Sequence, residues 1–161
     1  MVESIHAGFP MDKMAFALQP HLAPRILQSS GHSSVPIEVN QSILAGCKFS
    51  VPMTRAYCMR QYVKLDNKHP SAKTQVFVDD TSMHASGESG EDVKDILIPA
   101  MLDFHNAVRK LGLKLSPNAA ITASSNALLS QIISELKSHK LYFESSKSAR
   151  DLGISNTAGK R

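Results

Sequence analysis

The stretch Lys73–Ala85, KTQVFVDDTSMHA, predicts a β-hairpin that decides the fold of this 161-residue chain. Val76 and Val78 fall on one face of the first strand and Phe77 on the other, and the alternation resumes after two aspartates. We expect these apolar residues to hold the turn of the hairpin against a core. The sequence therefore predicts a fixed turn that carries two adjacent carboxylates.

Asp79 and Asp80 are the two residues at this predicted turn. Adjacent carboxylates repel each other, and keeping both ionised costs free energy unless a cation neutralises them. Carboxylate oxygens are the ligands that Mg²⁺ prefers. Considered alone, an Asp-Asp pair is more often a solvated turn, so the metal hypothesis depends on the rest of the sequence.

Proline and glycine divide the N-terminal part of the chain into short elements. Residues 11–19 and 21–29 are typical of two helices, with Pro20 between them and Gly31 at the end of the second. Residues 35–39, VPIEV, alternate in polarity and predict a strand.

Periodicity predicts further helices and strands around the hairpin. Ser89 and Asp92 have the form of a capping box, and the helix that follows should end at Gly112, with Pro99 as a kink or as its true start. Ser125 is a suitable cap for another helix. The predicted helices are 51–63, 92–111 and 126–138, and the predicted strands are 113–116 and 119–123, followed by a closing hairpin of 140–144 with 149–155.

The composition is that of a globular α+β protein. Apolar residues make up 42% and charged residues 20% of the chain, which excludes collagen-like, coiled-coil and wholly disordered classes. No apolar run approaches the roughly 20 residues of a membrane span, and the first residues do not form a secretory signal. Two cysteines are too few for a disulfide scaffold. We expect an intracellular protein, nuclear or cytoplasmic, with no membrane partner.

The charge is unevenly distributed around a formal net charge of +4. Residues 48–73 carry six basic side chains and one acidic one, residues 137–161 carry six and two, and residues 87–103 carry five acids and one lysine. Two basic segments favour a polyanionic partner such as nucleic acid. A solvated surface of mixed sign is the alternative.

Four motifs in one order resemble those of reverse transcriptases. TQVFVDDTSMHA resembles the family's x-x-D-D hairpin, and ILAGCKFSVPMTRA, residues 43–56, resembles its Q-G-x-x-x-S-P motif. AVRKLGLKLSPNAA, residues 107–120, is similar to the next motif, and ARDLGI, residues 149–154, is similar to the hairpin that grips the primer. Residues 8–27 resemble the helical region after the first catalytic strand. The likeness is closest to retrotransposon and group-II-intron enzymes.

The resemblance implies a partial palm domain over 1–161, with fingers and thumb missing. Its parts would be a helical region over 1–34, core motifs over 35–123, a helix and closing hairpin over 124–155, and a tail over 156–161. An antiparallel palm-type sheet would centre on the Asp79–Asp80 hairpin, with helices packed on one face. The family's first catalytic aspartate motif is not visible in this sequence.

The resemblance also implies roles for individual residues. Asp79 and Asp80 would be the catalytic metal ligands for Mg²⁺ or Mn²⁺ in RNA-templated nucleotidyl transfer, with a template-primer and deoxynucleoside triphosphates as partners. The implied nucleotide- and template-binding residues are Gly46, Ser50 and Lys114, those of the primer grip are Leu152 and Gly153, and those at the nucleic-acid backbone are Arg55, Arg60, Lys64, Lys68 and Lys73.

Departures from the family pattern leave two functions open. The expected glutamine before Gly46 is Ala45, the expected proline after Ser50 is Val51, and the family's lysine is missing from its usual place. We expect the isolated chain to be inactive as a polymerase. The first hypothesis is a reverse transcriptase fragment, and the alternative is a non-catalytic nucleic-acid-binding remnant of a mobile element.

Overall fold

The computed structural model describes residues 5–6, 8–38, 47–77, 80–146, 149–151 and 154–156. Within them, four helices of 12 to 21 residues and four two-stranded sheets confirm the α+β class. The helices are α1 Met11–Leu22, α2 Ser50–Lys68, α3 Gly90–Lys110 and α4 Asn126–Ser138. The strands are β1 Gln28–Ser29, β2 His32–Ser33, β3 Lys73–Phe77, β4 Asp80–His84, β5 Ala120–Ile121, β6 Glu144–Ser145, β7 Ala149–Asp151 and β8 Ile154–Asn156. The chain divides into two compact units, Met1–Arg60 and Gln61–Arg161.

Helix α1 of the first unit buries Met14, Ala17 and His21, which recur at helical spacing. The helix runs through Pro20 to Leu22, so the predicted second helix over 21–29 is wrong. The cause is the proline at position 24, because the residue before a proline is driven out of the helical region. Ala23 accordingly has extended angles, φ −67° and ψ 141°.

A tight hairpin follows where that helix was predicted. Strands β1 and β2 are antiparallel, and the turn between them consists of Ser30 and Gly31 with φ of 49° and 79°. Two positive φ values are what a type I′ hairpin turn requires, and glycine adopts them without steric cost. Gly31 therefore serves a hairpin rather than a helix end. The predicted strand over 35–39 is reduced to one bridge, Arg25 with Ile37, and residue 39 lies outside the described residues.

The predicted hairpin over 73–85 is confirmed as β3 paired antiparallel with β4. The register runs from the pair Lys73 and His84 to the pair Phe77 and Asp80. These two strands form a sheet of their own. The palm-type arrangement of a larger sheet stays a prediction.

Helix α3 has the predicted capping box and the predicted glycine end. The backbone N–H of Ser89 donates to Asp92 Oδ2 at 2.8 Å, and the N–H of Asp92 donates to Ser89 Oγ at 3.1 Å. Gly112, with φ 71°, follows the last turn, and the N–H of Leu113 donates to the Val108 carbonyl at 3.1 Å. This is the Schellman arrangement that ends many helices at glycine.

The core of the second unit is formed by α3 and α4. Ser125 caps α4 as predicted, since its Oγ accepts from the N–H of Leu128 at 3.2 Å. The inward face of α4 repeats every three or four residues, as an amphipathic helix requires. The buried core cluster contains Leu97, Ile98, Ile121, Leu128, Ile132, Leu136 and Leu141.

The strands after α3 differ from the prediction. Residues 113–116 form no strand, and only Ala120–Ile121 of the predicted 119–123 does. This β5 pairs in parallel with β6, with α4 as the connection between them, so Glu144 of the predicted strand 140–144 pairs with Ala120. A helical crossover is what a parallel pair needs. The closing hairpin instead lies within 149–156, where β7 pairs antiparallel with β8.

Candidate nucleic-acid and metal site

The register of the β3–β4 hairpin divides its side chains between two faces. Residues directly opposite in an antiparallel pair project to the same side, and the side alternates along each strand. One face therefore carries Thr74, Val76, Thr81 and Met83, and the other carries Lys73, Gln75, Phe77, Asp80, Ser82 and His84. Asp80 thus shares its face with a cation and an aromatic ring.

The second strand anchors the hairpin to the helices. The hydroxyl of Tyr62, on α2, lies 3.1 Å from Thr81 Oγ1, and either group can donate. The Tyr62 ring stacks on Phe104 of α3, with centroids 6.3 Å apart and planes 18° apart. Met83 packs against the core cluster. Because Thr81 directly follows Asp80, these contacts position the start of β4.

Strand β3 contributes less to holding the hairpin turn against the core than the sequence indicated. Val76 and Phe77 are 37% and 53% exposed. The expectation that they hold the turn against a core is therefore wrong for these two residues. The physical reason is that Thr81 and Met83, on β4, provide the contacts to the helices and the core.

Asp80 is the one of the two predicted metal ligands that lies within the described residues. It is exposed at the first position of β4, opposite Phe77. Asp79, with Val78, lies outside the described residues. An exposed carboxylate at a strand start fits a Mg²⁺ ion that keeps several of its waters. Over the described ranges, no three His, Cys, Asp or Glu side chains come together as a metal site.

The basic residues predicted at the nucleic-acid backbone are all exposed. Arg55 and Arg60 belong to the first unit, and Lys64, Lys68 and Lys73 belong to the second. Exposure is what phosphate contact requires, and Lys64 and Lys73 meet that requirement on α2 and β3. Lys68 differs because its ammonium group is held by a carboxylate.

Asp103 on α3 is that carboxylate, and sequence reasoning missed it. Its Oδ2 lies 2.6 Å from Lys68 Nζ and 2.6 Å from His69 Nε2. Lys68 remains 65% exposed, whereas the His69 side chain is 13% exposed. The Lys68 hydrogen bond, followed by that of His69, lowers the pKa of Asp103 from its usual value. One acid of the acidic residues 87–103 thus offsets one cation of the basic residues 48–73.

Asp103 predicts a measurable dependence of stability on acid. Because its pKa is lower in the folded chain than in the unfolded chain, its stabilisation is complete above the unfolded pKa of about 4 and is lost as the pH falls through the folded pKa. We expect the difference in free energy of unfolding between the parent and Asp103→Asn to shrink as the pH falls from about 6 to about 2. Urea unfolding at several pH values measures it.

Lys68→Ala is the matched variant for that measurement. It removes the largest cause of the lowered pKa of Asp103, so its own acid dependence should be weaker than that of the parent. A difference between the parent and Asp103→Asn that stays constant across the pH range would contradict the assignment.

Ser50 is the first residue of α2, and its hydroxyl forms a local contact. Its Oγ donates to the carbonyl of Cys47 at 2.7 Å, and its own carbonyl accepts from Thr54 Oγ1 at 2.9 Å. These bonds fix the turn into the helix. Gly46, Leu152 and Gly153 lie outside the described residues, so their proposed roles stay predictions.

Lys114 lies in the loop between α3 and β5, where a strand was predicted. The correction has a local cause: Leu113 completes the end of α3, and Ser116 accepts the backbone N–H of Ala119 at 3.2 Å, which closes a turn. Lys114 lines an open groove together with Lys140 and other residues that the sequence reasoning did not select. The sequence did contain a signal for Lys140. Lys140-Leu141 follows α4 in the same way that Gly112-Leu113 follows α3, so Lys140 stands at the helix-end position that a glycine occupies after α3.

Comparisons with known proteins give no relative for this chain. Neither protein-family models, nor curated proteins, nor solved structures yield a match. In the described part of the chain, no helix combines the length and the apolar character needed to cross a bilayer. Fold and site therefore define the class as an α+β protein with an exposed, aspartate-bearing hairpin.

Proposed function

We propose that this chain is a fragment of a reverse transcriptase palm that binds nucleic acid across the β3–β4 hairpin. The observation that carries the proposal is the outward face of that hairpin, where Asp80 pairs with Phe77 and Lys73 lies four residues further along the same face. The opposite face is anchored to α2 through Thr81. A palm requires this division, with helices behind the sheet and nucleic acid in front of it.

The catalytic part of the proposal concerns Asp79 and Asp80. These carboxylates would hold Mg²⁺, which, when bound, neutralises phosphate charge and lowers the pKa of a hydroxyl nucleophile. The task of the chain itself is to present Asp80 at a fixed strand end, for which the Tyr62 to Thr81 contact is suited. Phe77, 53% exposed beside Asp80, offers a flat apolar surface to a base or sugar.

Nucleic-acid binding without catalysis is the second candidate, and the exposed cations favour it. Lys64 and Lys73 are exposed in the second unit, and neither needs a metal to bind a phosphate. The two candidates share the binding surface and differ only in chemistry. Binding is therefore tested first.

Binding should weaken with salt in a way that single substitutions resolve. Each phosphate neutralised contributes about 0.7–0.9 log units of affinity per log unit of salt. We expect Lys64→Ala and Lys73→Ala each to flatten the slope by about that amount, and Lys68→Ala to change it less because Asp103 already holds Lys68. Fluorescence anisotropy with a labelled oligonucleotide over a salt series measures the slopes.

Asp103→Asn provides the converse variant. Neutralising this carboxylate releases the Lys68 ammonium, so the slope should steepen by up to the same increment. Equal slopes for the parent and all four variants, or no binding at low salt, would refute nucleic-acid binding by this surface.

A further inference from the structure

A groove of about 390 Å³ lies at the ends of α3 and α4 in the second unit. It is lined by His105 and Arg109 from α3, Lys114 from the following loop, and Lys140 and Tyr142 from the segment after α4. Its volume falls in the usual range for ligand sites. It is separate in sequence from the β3–β4 hairpin on which the proposed function rests.

The groove is cationic. Among the described residues that line it, Arg109, Lys114 and Lys140 are basic and none is a carboxylate. Burial, and secondarily the charge of Arg109, lower the pKa of His105, so this imidazole is neutral at pH 7. Three cations converging without an acid favour an anionic ligand with several phosphates.

Tyr142 adds a flat ring to these cations. Its side chain is 72% exposed, the same exposed fraction as that of Phe16 in the first unit. An exposed aromatic ring beside lysines is the combination by which proteins bind single strands, with phosphates on the cations and a base on the ring. A duplex hides its bases from such a ring, so the combination favours a single strand.

Lys140 occupies a strained backbone position. It follows α4 with φ 62°, and the N–H of Leu141 donates to the Leu136 carbonyl at 3.0 Å, as in a Schellman end. Glycine is the usual residue there, and Gly112 occupies the matching place after α3. A lysine in the left-handed region costs free energy that glycine would not. Strain of this kind points to a role for the side chain.

We propose that this groove binds single-stranded nucleic acid, with Arg109, Lys114 and Lys140 on phosphates and Tyr142 stacked on a base. The proposal shares its ligand class with the proposed function, and Lys114 is the one groove residue to which the resemblance also gives a binding role. The left-handed backbone at Lys140 makes the end of α4 less stable than a glycine would, and the lysine side chain places a cation at the groove.

The test measures binding and stability of the same variants of the full chain. The probe is a fluorescein-labelled oligouridylate of about 12 nucleotides, within the range of single-strand site sizes. Tyr142→Ala should weaken binding by roughly 5- to 150-fold, whereas Tyr142→Phe keeps the ring and should retain affinity. Lys140→Gly should flatten the salt slope by about 0.7 while raising the melting temperature by about 2–4 °C.

Lys137→Ala is the matched control, because Lys137 is an exposed cation of the last turn of α4 that does not line the groove. It should leave the affinity within about twofold of the parent, as expected of an energetically neutral surface position. Inorganic phosphate and a duplex of the same length are the competitors. We expect neither to displace the oligouridylate as well as unlabelled single strand does.

Each other outcome overturns the proposal. Equal affinity for the parent, Tyr142→Ala and Lys140→Gly would mean that the basic groove residues interact only with the dipoles at the C-terminal ends of the helices. If inorganic phosphate displaced the oligouridylate as effectively as unlabelled single strand, and if Tyr142→Ala did not change the affinity, the groove would be a phosphate site. Loss of binding in Lys64→Ala and Lys73→Ala but not in the groove variants would refute the groove alone, and no binding by the parent would refute both proposals.

Discussion

Leu136→Ala is expected to lower the free energy of unfolding of the second unit by about 2–5 kcal/mol. Leu136 is completely buried on α4, inside the cluster that also contains Leu97 and Ile132. Removing its side chain loses the transfer free energy of the deleted atoms and leaves a cavity that the packed neighbours fill only in part. Urea or thermal unfolding followed by circular dichroism measures the change.

Leu129→Ala is the matched control on the same helix. Leu129 is only partly buried against the cluster, so the same truncation should cost clearly less. Equal losses at the two positions would mean that α4 does not present the Leu136 face to the core. A loss below 1 kcal/mol at Leu136 would contradict the core assignment, because such values belong to exposed positions.

The parts of the fold that sequence predicted well are those with strong local signals. The spacing of Leu128, Ile132 and Leu136 predicted α4 from 126 to 138, and the structure has the same bounds. The capping box of Ser89 and Asp92 predicted where α3 starts. In each case one short-range physical preference, a periodic apolar face or a satisfied backbone N–H, agrees with the tertiary contacts.

The errors arise where two local signals competed or where pairing is non-local. Pro20 was read as a helix break, yet α1 continues through it and ends because of Pro24. Pro99 lies inside α3, which begins nine residues earlier at Gly90, so only the alternative that Pro99 marks the helix start is wrong. The β5–β6 pair joins residues on either side of α4, and no local pattern in residues 140–144 reveals a parallel partner.

The candidate site was predicted in part. Sequence placed Asp80 at the hairpin turn, whereas the structure makes it the first residue of β4, paired with Phe77. Lys64 and Lys73 are exposed, as contact with a nucleic-acid backbone requires. Sequence reasoning missed Asp103, because an ion pair between residues 68 and 103 depends on how α2 and α3 pack. It also missed Lys140, whose significance comes from its positive φ rather than from its charge.

The 161-residue chain is expected to show no primer extension on an RNA template with Mg²⁺ or Mn²⁺. Two-metal transfer needs ligands that bridge both ions and fix their separation at roughly 3.5–4 Å. In the resemblance, Asp79 and Asp80 come from a single turn, and the facing aspartate strand is not visible in the sequence. The lost charge stabilisation of several kcal/mol corresponds to roughly three orders of magnitude in rate, since about 1.4 kcal/mol is tenfold.

A longer chain that contains the missing aspartate motif tests whether the absence of that motif causes the inactivity. If the reading frame upstream of Met1 encodes a strand with an F-x-x-D motif, adding it should restore extension, and Asp79→Asn in that longer chain should abolish it. The Asp79→Asn form of the 161-residue chain is the control, and it should be indistinguishable from its parent. Extension by the 161-residue parent but not by this control would contradict the prediction, because another carboxylate would then have to complete the metal site.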